Sequence, residues 1–148
     1  MTYKDFKHII PIQIRFHDID RLNHVNNACY HNYFEMGRVK YFDEILKRHV
    51  NWDKYGFILA RTEIDHLIAV HLHDEIYCCT RVIHFGNKSM KVKNVILKKE
   101  GERFIECASG FGILVAMDYS ENKSIPVPQQ WREQITAFEG SMDVKPVS

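Results

Sequence analysis

The period of hydrophobic and polar positions changes several times along this chain, and each change marks an element. In residues 9–18, IIPIQIRFHD, the apolar Ile10, Ile12, Ile14 and Phe16 alternate with Pro11, Gln13, Arg15 and His17. A period of two predicts a half-buried strand that runs up to residue 18. Residues 28–48 then place Tyr30, Tyr33, Phe34, Gly37, Tyr41, Ile45 and Leu46 at three- and four-residue spacings. That stripe predicts a buried helix of about five turns. From about residue 57 the pattern returns to strands: FILARTEIDHLIAV (57–70), EIYCCTRVIHF (75–85), SMKVKNVILKK (89–99) and RFIECASGFGILVAM (103–117). Gly86-Asn87-Lys88 and Glu100-Gly101-Glu102 separate the last three as hairpin turns.

The last strand carries Ala108, Gly110 and Gly112 at alternating positions, so one of its faces is nearly bare and another backbone can approach it. Gly37 on the helix is the expected counterpart. Strand, helix and antiparallel meander make an α+β arrangement in which the sheet curls around the apolar helix. Prolines in IPVPQQWREQI (125–135) lead into a short amphipathic helix read as peripheral. Residues 1–139 are expected to form a single domain, and 140–148 a disordered tail.

Charge narrows the possible partners. With 20 Lys plus Arg against 19 Asp plus Glu, nothing asks for nucleic acid or an anionic membrane surface. No apolar run approaches the roughly 20 residues of a membrane span, and MTYKDFKHIIP lacks the apolar stretch of a secretory signal, so a cytoplasmic location is expected. Cys29, Cys78, Cys79 and Cys107 form no C-x-x-C pair and are read as reduced, mostly buried thiols.

The densest chemistry is HDIDRLNHVNN, residues 17–27, directly ahead of the helix. Asn26 and Asn27 stand where a helix cap is needed. Free NH groups and about half a positive charge at a helix N-terminus favour an anion, or a carbonyl oxygen becoming one. Asp20, on the loop before the helix, supplies a carboxylate that can serve as base or nucleophile. Together they suggest attack on a carbonyl.

The run D-I-D-R-L-N-H-V-N-N-x-x-Y, followed by Phe34-Glu35 and Arg38, resembles the signature of hotdog-fold acyl-CoA thioesterases of the 4-hydroxybenzoyl-CoA and long-chain acyl-CoA thioesterase type. The order of elements extends the resemblance over nearly the whole chain, and IPVP is similar to the lead into that family's terminal helix. The resemblance implies an antiparallel curved sheet wrapped around one long helix. It also implies a homodimer or homotetramer with interfacial active sites, and hydrolysis of acyl-CoA to free acid and coenzyme A without a metal or other cofactor. It assigns the catalytic carboxylate to Asp20 and the polarising backbone NH to Asn27. His24, Asn26, Tyr30 and Glu63 are expected to contact substrate.

Simpler roles stand beside these. Asp18 is read as bonding local backbone. His24 can equally fix the loop, and the side chains of Asn26 and Asn27 can act only as caps. His66 lies with Glu63 on the first strand after the helix; His66, His71 and His73, the last two expected on one strand face, do not complete a metal-ligand spacing with Asp74 and Glu75 and are read as a solvated edge. Lys91 and Lys93 are read as solvated, with the phosphates of coenzyme A as an alternative partner. A non-catalytic acyl-CoA binding or regulatory module on the same fold is the competing function.

Overall fold

The computed structural model describes residues 1–47, 50–140 and 142. Strand β1 (His8–Ile12) precedes helix α1 (Cys29–Leu46); β2 (Tyr55–His66), β3 (Glu75–Phe85), β4 (Ser89–Glu100), β5 (Arg103–Asp118) and the short β6 (Lys123–Ser124) follow, and helix α2 (Gln129–Glu139) comes last. The sheet is antiparallel in the order β1-β3-β4-β5-β2, with β6 on β5. It wraps around α1, the hotdog arrangement that the motif implied.

Strands β3 to β5 form the expected meander, but β2 does not join β3. After α1 the chain reaches the far edge of the sheet, where β2 pairs with β5 over its whole length, His66 opposite Ala108 and Leu59 opposite Leu114. The first strand is also shorter than its alternation suggested. It ends at Ile12, and a 3-10 turn over Phe16–Asp18 follows, leaving Phe16 83% exposed. Asp18 causes the break, because its Oδ2 accepts the Arg15 NH at 3.0 Å and closes a tight turn that an extended strand cannot make. His71 and His73 fall on the turn before β3 and not on a strand face.

The core forms where the α1 stripe meets the concave face. Tyr30, Tyr33 and Phe34 pack with Ile76, Cys78, Ile96 and Ala108, and one helical segment further on Tyr41, Phe42 and Leu46 pack with Val82, Met90, Val92 and Leu114. Each large apolar side chain buried there stabilises the fold by about 1.5–3 kcal/mol relative to exposure. Cys78 joins the α1 side, while its neighbour Cys79 joins Phe6, Val95 and Leu97 on the opposite face, as the strand period requires. Helix α2 was expected to be peripheral, yet its Trp131 and Ile135 belong to the second core group.

Small residues set how closely α1 can lie, though not in the pairing the sequence suggested. Gly37 meets β3 and β4: a Cβ there would stand 2.6 Å from Cys78 Sγ and 2.6 Å from Thr80 Oγ1. The bare strip of β5 is approached by the β2 backbone, the Glu63 carbonyl at Gly110, and by side chains, Phe34 over Gly110 and Leu59 and Arg38 Nη1 near Gly112. Cys78, Cys79 and Cys107 are buried free thiols, and Cys29 is half-buried. Of the expected tail, all but Gly140 and Met142 lies outside the described residues.

Candidate active site

The polar motif folds into a small hairpin joined to the start of α1. Ile19 bridges Val25, the Asp20 NH donates to the His24 carbonyl at 2.9 Å, and the Asn23 NH donates to the Asp20 carbonyl at 3.0 Å. Asn23 turns the chain with φ of 66°, a left-handed conformation that asparagine tolerates better than most residues. Asp20 Oδ1 accepts the Leu22 NH at 2.9 Å. Its Oδ2 has no hydrogen-bond partner among the described residues.

Asp18, assigned a structural part, anchors this hairpin. It is 1% exposed and accepts from the Arg15 guanidinium at 2.8 Å and from the Tyr33 hydroxyl at 2.8 Å, while its carbonyl accepts the Asn26 NH at 2.8 Å. Burial pushes the carboxyl pKa up, but the Arg15 NH and guanidinium and the Tyr33 hydroxyl together hold it below the usual range. The motif is thereby tied to the first turns of α1 through Tyr33, a residue the sequence marked only as apolar stripe.

At the helix start, Asn26 performs the capping: its Oδ1 accepts the Ala28 NH at 2.9 Å. The Cys29 NH donates to the Asn26 carbonyl at 2.9 Å and the Tyr30 NH to the Asn27 carbonyl at 3.3 Å. The NH of Asn27 is then left without an acceptor among the described residues. Asn27 lines a cavity of about 180 Å³ together with His24, Val25, Tyr30, His66, Leu67, Ile68 and Ala69.

Aromatic contacts order that cavity. The His24 ring stands edge-on to His71 at 5.1 Å, and Tyr30 edge-on to His66 at 4.8 Å. Burial pushes the Tyr30 hydroxyl up to about 12, so it stays protonated near neutral pH. Burial, with His31 nearby, lowers the His66 pKa and favours its neutral ring. His66 is the cavity residue the substrate set omitted; its place at the end of β2, beside the helix tip, depends on β2 crossing to the far edge.

Of the six expected residues, His24, Asn27 and Tyr30 line the cavity and Asn26 caps the helix beside it. Asp20 sits on the hairpin and is not part of the cavity lining. Glu63 is exposed on β2, paired with Arg61 at 2.5 Å, and does not line this cavity within one subunit.

Further along α1 lies a second cavity of about 430 Å³. Val39, Phe42, Trp52, Phe57, Leu59 and Leu114 supply most of its wall, and Arg38 lines it from the helix. Arg38 is 8% exposed, and burial lowers its pKa, partly offset by Glu35. The outer edge of β2 carries no strand partner among the described residues, and Ile58 and Leu59 there are 45% and 44% exposed. No helix among the described residues is long and apolar enough to cross a membrane.

Comparison with known proteins agrees with the motif. A model of a thioesterase-like superfamily matches residues 14–135. The structure resembles that of a thioesterase from Thermus thermophilus complexed with coenzyme A and Zn, at 32% identity and TM-score 0.80, covering 93% of this chain and 98% of that one. In fold it is also similar to a mutant of 4-hydroxybenzoyl CoA thioesterase complexed with 4-hydroxybenzoyl CoA, at 17% identity and TM-score 0.77, covering 86% of this chain and 96% of that one. A Bacillus subtilis (strain 168) protein, YsmA, described as uncharacterized, is 22% identical over 130 residues, 88% of this chain and 86% of its own.

Proposed function

Since this chain belongs to the thioesterase-like superfamily, we propose that it hydrolyses acyl-CoA thioesters to free acid and coenzyme A. One observation carries the proposal: among the described residues the Asn27 NH has no acceptor, and Asn27 lines a cavity at the positive end of α1. When a nucleophile adds to a thioester, the carbonyl oxygen becomes an oxyanion, and a fixed NH at that point lowers the barrier without reorganising. Asn27 contributes its backbone, and Asn26 positions it by capping the next NH.

Asp20 supplies the carboxylate. Its Oδ1 is held by the Leu22 NH, which fixes the carboxyl plane and leaves Oδ2 to attack the carbonyl or to take a proton from attacking water. His24 and Tyr30 border the acyl carbonyl, and the neutral His66 ring packs on Tyr30 without adding charge. No metal or other cofactor enters this reaction scheme.

The enzyme acts as a homo-oligomer, with Glu63 at the subunit contact. An unpaired edge strand with exposed apolar side chains is a template for a second copy, and β2 offers such an edge beside the cavity. Light scattering reads this directly, and a monomer at working concentration contradicts it.

The test follows thiol release from a panel of acyl-CoAs by wild type and Asp20→Asn. Wild type turns over at least one member, and Asp20→Asn loses roughly 10²- to 10⁴-fold in kcat. Tight binding of an acyl-CoA with no turnover would establish the non-catalytic binding module instead.

A further inference from the structure

Arg38 is 8% exposed on the wall of the larger cavity, and among the described residues its guanidinium has no hydrogen-bond acceptor and no ion-pair partner. A buried cation is costly unless an anion or several acceptors compensate it. The helix stripe leads it inward: Phe34, Arg38 and Phe42 follow at four-residue spacing, so Arg38 occupies a position that α1 otherwise fills with apolar side chains. Gly112 lies beside it on β5, where a Cβ would stand at an ordinary contact distance of 3.7 Å from Nη1 and would crowd Leu59 at 2.9 Å. Glu35 and Asp43 also line the cavity, but both are exposed and neither bonds Arg38.

The two cavities lie in sequence along the same strands. The register sets His66 opposite Ala108 beside the smaller cavity and Leu59 opposite Leu114 beside the larger. Asn27 and Arg38 are eleven residues apart, on the order of 16 Å along the helix at about 1.5 Å per residue. An acyl chain whose carbonyl sits at the Asn27 NH would reach Arg38 only with its far end, passing Phe34, which lies between the two cavities on α1 and is 1% exposed over Gly110.

Resting on the thioesterase reading, we propose that the larger cavity is a subsite for the far end of the acyl group and that Arg38 binds a carboxylate there. The substrates so selected are long ω-carboxyacyl-CoAs, the monothioesters of dicarboxylic acids. Apolar walls take the methylene chain, and the guanidinium fork takes the terminal carboxylate in the paired geometry it favours. A plain fatty acyl chain leaves the cation uncompensated and is disfavoured.

The test compares ω-carboxyacyl-CoAs with fatty acyl-CoAs of equal length, using wild type, Arg38→Gln and Arg38→Lys, with thermal shift by the free dicarboxylic and fatty acids as a separate readout. Wild type prefers the ω-carboxy series in kcat/KM. Arg38→Gln loses roughly 30-fold or more on that series while fatty acyl-CoAs hold or improve, and Arg38→Lys restores part of the loss. The proposal is overturned if wild type treats both series alike, or if Arg38→Gln lowers both equally. It is likewise overturned if Arg38→Gln dissociates the oligomer by light scattering, which assigns Arg38 to a carboxylate of a second copy. If no thioester is cleaved, the hydrolase reading fails by itself; an Arg38-dependent shift with dicarboxylic acids then still supports the subsite, and its absence removes both.

Discussion

Changing Tyr33 to phenylalanine removes one hydroxyl from a side chain that is 4% exposed, and with it the 2.8 Å hydrogen bond to Asp18 Oδ2 that ties the motif to α1. A hydrogen bond to a charged acceptor contributes about 1.5–3 kcal/mol. Asp18 keeps the Arg15 NH at 3.0 Å and the Arg15 guanidinium at 2.8 Å, so its carboxylate is not stranded and the expected loss is near the lower bound, about 1.5–2 kcal/mol. Urea unfolding at pH 7 reads this as a lower midpoint at unchanged slope. Because these partners hold the folded Asp18 pKa below the ordinary 3.8, against the opposing effect of burial, the carboxylate contributes stability above 3.8 and loses it as pH falls through the folded value. The cost of Tyr33→Phe therefore shrinks in that acid range. In a double-mutant cycle with Asp18→Asn, coupling of at least about 0.5 kcal/mol is expected for residues in contact. A loss under about 0.5 kcal/mol at pH 7, the range of an ordinary surface change, or no coupling, refutes the view that Tyr33 holds the motif through Asp18.

Two further outcomes follow from the packing. Gly37→Ala places a methyl 2.6 Å from Cys78 Sγ and Thr80 Oγ1; overpacking of about 1–3 kcal/mol outweighs the gain of up to about 1 kcal/mol in helix propensity. Net destabilisation in urea is expected, and a stabilised variant contradicts the close approach of α1 to β3. Glu139 is 4% exposed and accepts from the Tyr41 hydroxyl at 2.6 Å; burial raises its pKa above the ordinary 4.5, against the pull of Tyr41, Arg81, Lys7 and His8. A carboxyl raised on folding binds more protons folded than unfolded, so its contribution falls as pH rises from 4.5 through the raised value. Glu139→Gln, which does not titrate, should flatten that decline in thermal melts taken upward from about pH 4, and an unchanged profile contradicts it.

The sequence carried local information well and long-range placement poorly. Alternation marks β3, β4 and β5 to within a residue or two, because each has one face on the helix and side chains alternate across a strand. The same alternation misled at Ile14 and Phe16, where a hydrogen bond from the Arg15 NH to the Asp18 side chain bends the chain. Nothing in the period of β2 says that it pairs with β5 and not β3, since pairing across the sheet is decided by where α1 delivers the chain. That crossing also brings His66 to the helix tip, so its place in the cavity was hidden with the topology. The cap at Asn26 was legible from residue type. Arg38 entered the sequence reading only as part of the motif, and the packing shows that it is 8% exposed between Phe34 and Phe42 on the stripe.

The most direct measurement of the central claim removes the Asn27 NH and nothing else. Asn27 follows the capping Asn26 and precedes Cys29, the first residue of α1, and its NH has no acceptor among the described residues, so a proline there removes a donor that no hydrogen bond uses. Asn27→Pro should match Asn27→Ala in melting temperature and oligomeric state. With the same acyl-CoA, Asn27→Ala should keep kcat within a few-fold of wild type, whereas Asn27→Pro loses about 10²- to 10³-fold, the usual cost of one oxyanion donor. An Asn27→Pro protein that is equally folded and turns over as fast as Asn27→Ala would show that the helix tip does not hold the reacting carbonyl.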